Sequence, residues 1–320
     1  MMQVKTVDLL LTFKCPSKCS HCSYKAGPER TGCMKLADAT RYLGELASTQ
    51  PLQSMTVHGG EPFLYFEHLR RIVKTAKKFK IPERWVITNG YWANNKVTAK
   101  NKLSELKEAG LTCVTFSVDA FHQYFIPLDS VKKGIEAAAS MEFERVCVDS
   151  YFLELNSESD NPYDGSTRNA LENLENIDNV EFNTYQPRFV GRAADLYRYA
   201  NPKPKLPNGK CRLPFWIGGN LESPRGAEID YEGNVTLCPG ICIGNAKAQS
   251  LPQMLRNYDV CEHPILSIIA GEGPIGLFRM ATVKGFKQRH GFANECHLCY
   301  ETRRFLRCYY PQYLTPANCY

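Results

Sequence analysis

The sequence predicts an α/β chain in which a parallel sheet, curved into a partial barrel of six βα units, precedes a small cysteine-rich α+β extension. Three observations carry that expectation. Strand-like and helix-like stretches alternate through the first two-thirds of the chain. The strand-like runs are almost continuously apolar, as in strands buried on both faces. The alternation then stops at NPKPKLPNGK (201–210), beyond which Gly, Pro and Cys dominate.

The elements follow in order. TVDLLLTF (6–13) is a strand that ends at a cysteine motif, and residues 37–47 have helical spacing. SMTVH (54–58) is a strand stopped by Gly59 and Gly60; in residues 66–79, Leu69, Ile72, Val73 and Ala76 fall on one helical face. RWVITNG (84–90) is a strand, followed by a helix around 102–109. Then come the strand TCVTFSVD (112–119), a helix over 131–141 and the strand RVCVDSYF (145–152). A helix over 171–177 and the strand VEFNTYQP (180–187) complete six units. The boundaries expected are a barrel over 1–198, a linker over 199–210 and the extension over 211–320, with a hairpin in AEIDYEGNVTLC (227–238). In such parallel α/β folds the chemistry sits at the C-terminal ends of the strands.

Composition narrows the setting. At 320 residues and 43% hydrophobic content the chain can bury a large core. No apolar run approaches the ~20 residues of a membrane span, and the N-terminus lacks the marks of a signal peptide. A cytoplasmic protein without a membrane partner is expected. The net charge of +6 is mild. Its basic groups, KTAKKFK (74–80) and Arg303, Arg304 and Arg307, read as solvated helix faces. They are not interleaved with aromatics, so no nucleic-acid partner is expected. The 14 cysteines are the conspicuous feature. In a reducing compartment clustered cysteines ligate metals or clusters in preference to forming disulfides. Cys113 and Cys147 lie inside apolar runs and read as small buried hydrophobes; Cys33 is open to either reading.

CPSKCSHC (15–22) presents Cys15, Cys19 and Cys22 from one loop directly after the first strand. Zinc sites use four ligands, usually as two separated pairs. Three thiolates fit three corners of an iron–sulfur cubane and leave one iron open. His21 is a poor fourth ligand because it adjoins Cys22. HGGEP (58–62) follows the second strand, and its glycines allow close backbone approach to a ligand.

Together these motifs resemble those of the radical S-adenosylmethionine (radical SAM) enzymes. The resemblance covers about the first 195 residues: C-x3-C-x2-C after the first strand, GGEP after the second, TNG (88–90), SVD (117–119) and PRFVGRA (187–193) after later ones. It implies a TIM-type partial (β/α)6 barrel holding a 4Fe–4S cluster on Cys15, Cys19 and Cys22, with SAM chelating the fourth iron. By the same resemblance Gly59, Gly60, Glu61 and Pro62 receive the SAM amino group, Ser117 or Asp119 contacts the ribose region, and Arg192 meets the SAM carboxylate. Asp119 also has a plain reading as a strand-end turn residue. The implied reaction is reductive cleavage of SAM to a 5′-deoxyadenosyl radical that abstracts hydrogen from substrate, with flavodoxin or ferredoxin as electron donor. The cofactor carries the hard step. No side chain stands out as a catalytic acid or base; His122, Asp149, Tyr151, Asp230 and Tyr231 read as structural.

Cys211, then G-x4-C (233–238), then C-x2-C (296–299) resemble the SPASM or shorter twitch extension of such enzymes. The likeness implies one closed auxiliary 4Fe–4S cluster on Cys211, Cys238, Cys296 and Cys299. Cys242, Cys261, Cys308 and Cys319 are left as substitutes or as ligands of a second cluster. A structural zinc is the plain reading of the CHLC pair, and His297 beside it reads as a surface residue. The enzyme expected performs a net oxidation or crosslink on a peptide or small-molecule substrate. The short segment before the first strand suggests no N-terminal peptide-recognition or cobalamin domain. The alternative is a non-catalytic iron–sulfur carrier or scaffold, which needs neither GGEP nor an open iron; a zinc-binding interaction module is a third reading.

Overall fold

The computed structural model describes residues 2–155, 161–200 and 205–320. It contains two compact units, one of Asp8–Cys19 and Ala26–Pro187, the other of Met1–Val7, Ser20–Lys25 and Arg188–Tyr320. Of the linker expected over 199–210, residues 201–204 lie outside the described residues.

The first unit, which takes β1 (Thr6–Thr12) from Asp8 onward, is the barrel. Its elements run α1 (Leu36–Thr49), β2 (Ser54–Gly59), α2 (Phe66–Lys78), β3 (Glu83–Thr88), α3 (Lys96–Ala109), β4 (Cys113–Ser117), α4 (Ala120–Gln123), α5 (Leu128–Ala139), β5 (Arg145–Tyr151), α6 (Pro162–Glu172) and β6 (Glu181–Tyr185). The strands lie in the order β6-β5-β4-β3-β2-β1, with parallel pairing from β2 through β6. This is an open six-stranded parallel sheet, a partial TIM barrel. As the apolar spacing requires, α2 buries Leu69, Ile72, Val73 and Ala76.

Register decides what each sheet face carries. Phe116 of β4 faces α5, where a Cβ on Gly134 would lie 2.8 Å from its ring. By strict alternation Cys113, Thr115 and Ser117 point to the other face, beside Arg145, Cys147 and Asp149 of β5. Asp149 is in turn paired with Asn183 of β6. Cys113 and Cys147 are buried, as small hydrophobes would be. Ser117, Asp149 and Asn183 form a polar row toward the strand C-termini.

Two helices depart furthest from their expected bounds, while α5 begins three residues before and ends two before the expected 131–141. α3 starts at Lys96 because the Asn95 side chain accepts from the Thr98 amide, and it ends at Gly110, whose φ is 109°. The helix expected over 171–177 is instead α6, Pro162–Glu172, sharing only its last two residues with that stretch. Asn161 caps it by accepting from Asp164 N, and Pro162 opens it. Its buried residues are Asp164, Thr167 and Ala170, so the inward face is largely polar and leaves no apolar period.

In the second unit β7 (Gly226–Asp230), β8 (Asn234–Cys238) and β9 (Ile241–Asn245) form an antiparallel meander. The expected hairpin is its first half. Asp230 builds the turn by accepting from the amides of Glu232 and Asn234 and from Asn234 Nδ2. Four helices follow, α7 (Leu251–Arg256), α8 (Leu266–Glu272), α9 (Pro274–Val283) and α10 (Glu295–Leu306). Asn294 caps α10 by accepting from His297 N at 3.0 Å, which places Cys296 and Cys299 in its first turns. Among the described residues no helix is long and apolar enough to cross a membrane.

Candidate metal centres and cofactor site

The cysteine loop leaves the end of β1 and is closed by backbone. Gly27 N donates to Phe13 O and Cys15 N to Gly27 O, both at 3.1 Å. The end of β2 presses on its start. Gly60 N donates to Thr12 O at 2.6 Å and Glu61 N to Lys14 O at 2.9 Å. Only glycine permits this approach, since a Cβ would lie 2.4 Å from Thr12 O at Gly59 and 2.1 Å from Lys14 O at Gly60. The two glycines therefore bring β2 to the cysteine loop. The amides of Gly60 and Glu61 are thereby engaged within the fold. Pro62 is buried at the start of a 3-10 turn.

Glu61 turns inward. Its buried carboxylate accepts from Phe63 N at 3.1 Å, Thr88 Oγ1 at 2.8 Å and Asn89 N at 2.8 Å. Burial pushes its pKa up to about 7 against these hydrogen bonds. The side chain thus ties the GGEP turn to the TNG stretch after β3. Asn89 completes the link, with Nδ2 donating to Cys15 Sγ at 3.6 Å and Oδ1 accepting from Tyr91 N at 3.1 Å. The sequence motif contains Asn89 but does not single it out; its place after a strand in the motif series is the available signal.

Asp119 is fully buried. One oxygen accepts from Phe121 N and His122 N at 3.0 Å and from His122 Nδ1 at 2.9 Å, and the other from Tyr151 N at 3.4 Å. These bonds make it a cap and a β4–β5 tie, in keeping with the strand-end reading. Ser117 is half-buried beside Asp149.

Asp149 accepts from Asn183 Nδ2 at 3.1 Å, and burial lifts its pKa from 3.8 to about 6. Because the folded chain holds this proton more tightly than the unfolded one, the stability it contributes is full below pH ~4 and lost as pH rises through about 6. Asp149→Asn should remove that loss. The variant is expected to gain on the parent by on the order of 2–3 kcal/mol between pH 4 and pH 7, read as a difference in urea midpoints. A pH-independent difference would refute it.

In the second unit the stretch carrying Cys22 is also held by backbone. Arg192 N donates to Cys22 O at 3.0 Å. Gly191 has φ 64°, and a Cβ there would lie 2.3 Å from Ser23 O. The backbone at Arg192 therefore positions Cys22. Tyr24 Oη donates to Glu228 of β7, which also accepts from Trp216 Nε1 at 3.0 Å and Thr236 Oγ1 at 3.3 Å. Burial raises the Glu228 pKa to about 7.

Three separate segments of this unit bring Cys211, Cys238, Cys296 and Cys299 to the wall of one cavity of about 370 Å³. Burial pushes the Cys238 thiol up to about 11 and raises Cys211 and Cys296 as well. Among the described residues no three of these sulfurs lie within 4.8 Å of one another. A single zinc, at 2.3 Å per Zn–S bond, holds its sulfurs only ~3.8 Å apart. Four thiols around one cavity are a donor set suited to a thiophilic metal or an iron–sulfur group. Of the other cysteines, Cys242 donates to Gly244 O at 3.1 Å, Cys319 is buried, and Cys261 and Cys308 are exposed.

Two readings need correction. His297 is not a surface residue; it is 1% exposed, stacks on Tyr197 at 4.9 Å and accepts from Ala293 N through Nδ1. Burial lowers its pKa to about 4, so it is neutral. Arg303 is not on a solvated face; it is fully buried and lines the cysteine cavity. They lie in the first turn and toward the end of α10, a helix that packs inward on nearly every side.

The chain thus combines an open parallel barrel, with a cysteine loop at the end of its first strand, and a unit that carries a further set of cysteines. Residues 9–156 match the profile of the Radical SAM superfamily, and the chain carries a radical SAM domain. That family uses a 4Fe–4S cluster and SAM. The chain is 26% identical over 135 residues to "Putative peptide biosynthesis protein YydG" of Bacillus subtilis (strain 168), covering 42% of each chain and so less than half of that relative's length. In fold it is similar to BtrN, solved in complex with AdoMet and 2-DOIA, at TM-score 0.51 and 16% identity over 86% of this chain and 90% of that one. It is also similar to anSMEcpe with bound AdoMet and Cp18Cys peptide, at TM-score 0.51 and 12% identity over 96% and 97% of the two chains.

Proposed function

We propose that this chain is a radical SAM oxidoreductase or maturase that acts on a peptide or small molecule, with a cluster on Cys15, Cys19 and Cys22 and one auxiliary 4Fe–4S cluster on Cys211, Cys238, Cys296 and Cys299. When bound, the first cluster supplies the electron that cleaves SAM to a 5′-deoxyadenosyl radical. The protein's own residues position and enclose. The carbonyls of the GGEP turn accept from the SAM ammonium group, Asn89 fixes Cys15 by its amide, and the Gly191–Arg192 backbone fixes Cys22. Ser117 and Asp149 offer polar contacts on the inner face of the sheet.

The observation that carries the reading is the convergence of four cysteines from three segments on one cavity. A closed second site supports net two-electron oxidation, because it can take the electron left on substrate after hydrogen abstraction. A non-catalytic carrier has no use for the inward Glu61 tie that joins GGEP to TNG. A peptide substrate is favoured by the relative named for peptide biosynthesis and by the peptide in the anSMEcpe complex; the 2-DOIA in BtrN keeps small molecules in view. Flavodoxin or ferredoxin is the donor class.

The test is anaerobic reconstitution of the full chain, then SAM and dithionite. About eight irons per chain are expected, two cubanes, together with 5′-deoxyadenosine and methionine. About four or about twelve irons would overturn the single auxiliary cluster, and absence of 5′-deoxyadenosine would overturn the radical reaction.

A further inference from the structure

Two guanidinium groups stand against the four thiols of the second unit, and the cysteine spacing does not call for them. We propose that Arg188 and Arg303 are built-in counter-charges of this site, offsetting an anionic iron–sulfur cluster and holding it at a higher reduction potential than four thiolates alone would set. The inference rests on the proposed auxiliary cluster and adds the residues that tune it.

Both side chains line the cysteine cavity. Arg188 Nη2 donates to Cys296 Sγ at 3.6 Å and to Arg212 O at 2.6 Å. Arg303 is 0% exposed, within hydrogen-bonding reach of Cys299, and donates through Nη1 to Pro239 O at 3.0 Å and Tyr320 Oη at 2.6 Å. Among the described residues neither guanidinium forms an ion pair with a carboxylate, and the Nε–H of each is buried without a partner. A fully buried cation (Arg303) and a half-buried one (Arg188), each with a buried idle Nε–H, are costly unless an anion completes the site. Four neutral thiols supply none.

A cubane on four thiolates supplies it. In its oxidised form such a cluster carries two net negative charges, matched one for one by the two arginines. Sulfur acceptors at the cluster would also engage the idle Nε–H groups, and hydrogen bonds and nearby charge set cluster potentials. Reduction adds one electron from an external low-potential reductant, with no bond broken and no proton moved. It takes the cluster to three negative charges, beside the two fixed guanidiniums. Without either arginine the added electron meets one positive charge fewer at the cavity wall, and reduction becomes harder.

The experiment isolates the auxiliary cluster in the full-length Cys15→Ala/Cys19→Ala/Cys22→Ala chain, reconstituted anaerobically and titrated with dithionite under EPR. About four irons are expected in this background. Arg188→Gln should lower the midpoint potential, so that at the parent's midpoint the reduced-to-oxidised ratio falls at least tenfold, 59 mV for one electron. Arg303→Gln should shift it in the same direction, and Arg188→Lys, which keeps the charge, should return it to the parent value. Arg303 also ties Pro239 to Tyr320; if Arg303→Gln does not fold, Arg188→Gln decides alone. A cluster that titrates at the parent potential in the Gln variants overturns the counter-charge role while leaving the auxiliary cluster standing. A background chain that binds zinc, or no iron, overturns the cluster itself and the inference with it.

Discussion

Replacing Cys15, Cys19 and Cys22 together by alanine should abolish 5′-deoxyadenosine formation and cut the iron content from about eight to about four per chain. The variant is informative because backbone bonds, not thiols, close the loop. Its closure is backbone, from Gly27 N to Phe13 O and from Cys15 N to Gly27 O, and the bonds from Gly60 and Glu61 reach carbonyls of Thr12 and Lys14. The strand before it is held by its own apolar burial, with Leu9, Leu10 and Leu11 all at 2% exposure or less. Loss of a few small sulfur atoms from this frame costs little packing. Far-UV circular dichroism should therefore match the parent, while SAM cleavage falls to background. The remaining irons would reside on the second unit, whose four cysteines lie on other segments. Persistent SAM cleavage would break the assignment of the reactive cluster. Complete loss of iron would overturn the auxiliary cluster on the second unit.

The fold and the two cysteine sets are partly legible in the sequence. The βα rhythm needs only local patterns, and the apolar stripe of α2 and the G-x4-C hairpin of β7 and β8 lie where their spacing puts them. What stays hidden depends on partners distant along the chain. Nothing near Glu61 in sequence indicates that its carboxylate turns toward Thr88 and Asn89. The position of α6 is obscured because Asp164 and Thr167 face inward, with Asp164 accepting from the amides of Leu153 and Glu154, so a buried helix face reads as polar. Residue type alone sends His297 and Arg303 to solvent. It fails on α10, where a ring stack and a thiol-lined cavity replace water as surroundings. Polar groups that are buried with a purpose violate the rules by which burial is read from sequence.

The glycine pair gives the sharpest test of how the barrel shapes its cysteine loop. Gly60→Ala should lower SAM cleavage at least ~100-fold, as misplacement of a reacting geometry by about 1 Å can do. A Cβ at Gly60 would lie 2.1 Å from Lys14 O, 2.6 Å from Lys14 C and 2.9 Å from Phe13 C. All three are backbone atoms, so no rotamer change relieves the clash, and the end of β2 must withdraw. Withdrawal strains the 2.6 Å bond from Gly60 N to Thr12 O and the 2.9 Å bond from Glu61 N to Lys14 O. Through Glu61 it also moves Asn89, whose amide reaches Cys15 Sγ. The overpacking should cost about 1–3 kcal/mol of stability and appear as a lower Tm with weaker retention of iron at the first cluster. Gly165→Ala serves as the control. Gly165 lies within α6, and no neighbouring atom comes within 4 Å of where an alanine methyl would sit. Alanine there should raise stability by ~0.5–1 kcal/mol and leave SAM cleavage intact. If Gly60→Ala keeps both iron and SAM cleavage within twofold of the parent, the close approach of β2 is not what positions Cys15. The glycines would then have to act on a bound ligand directly.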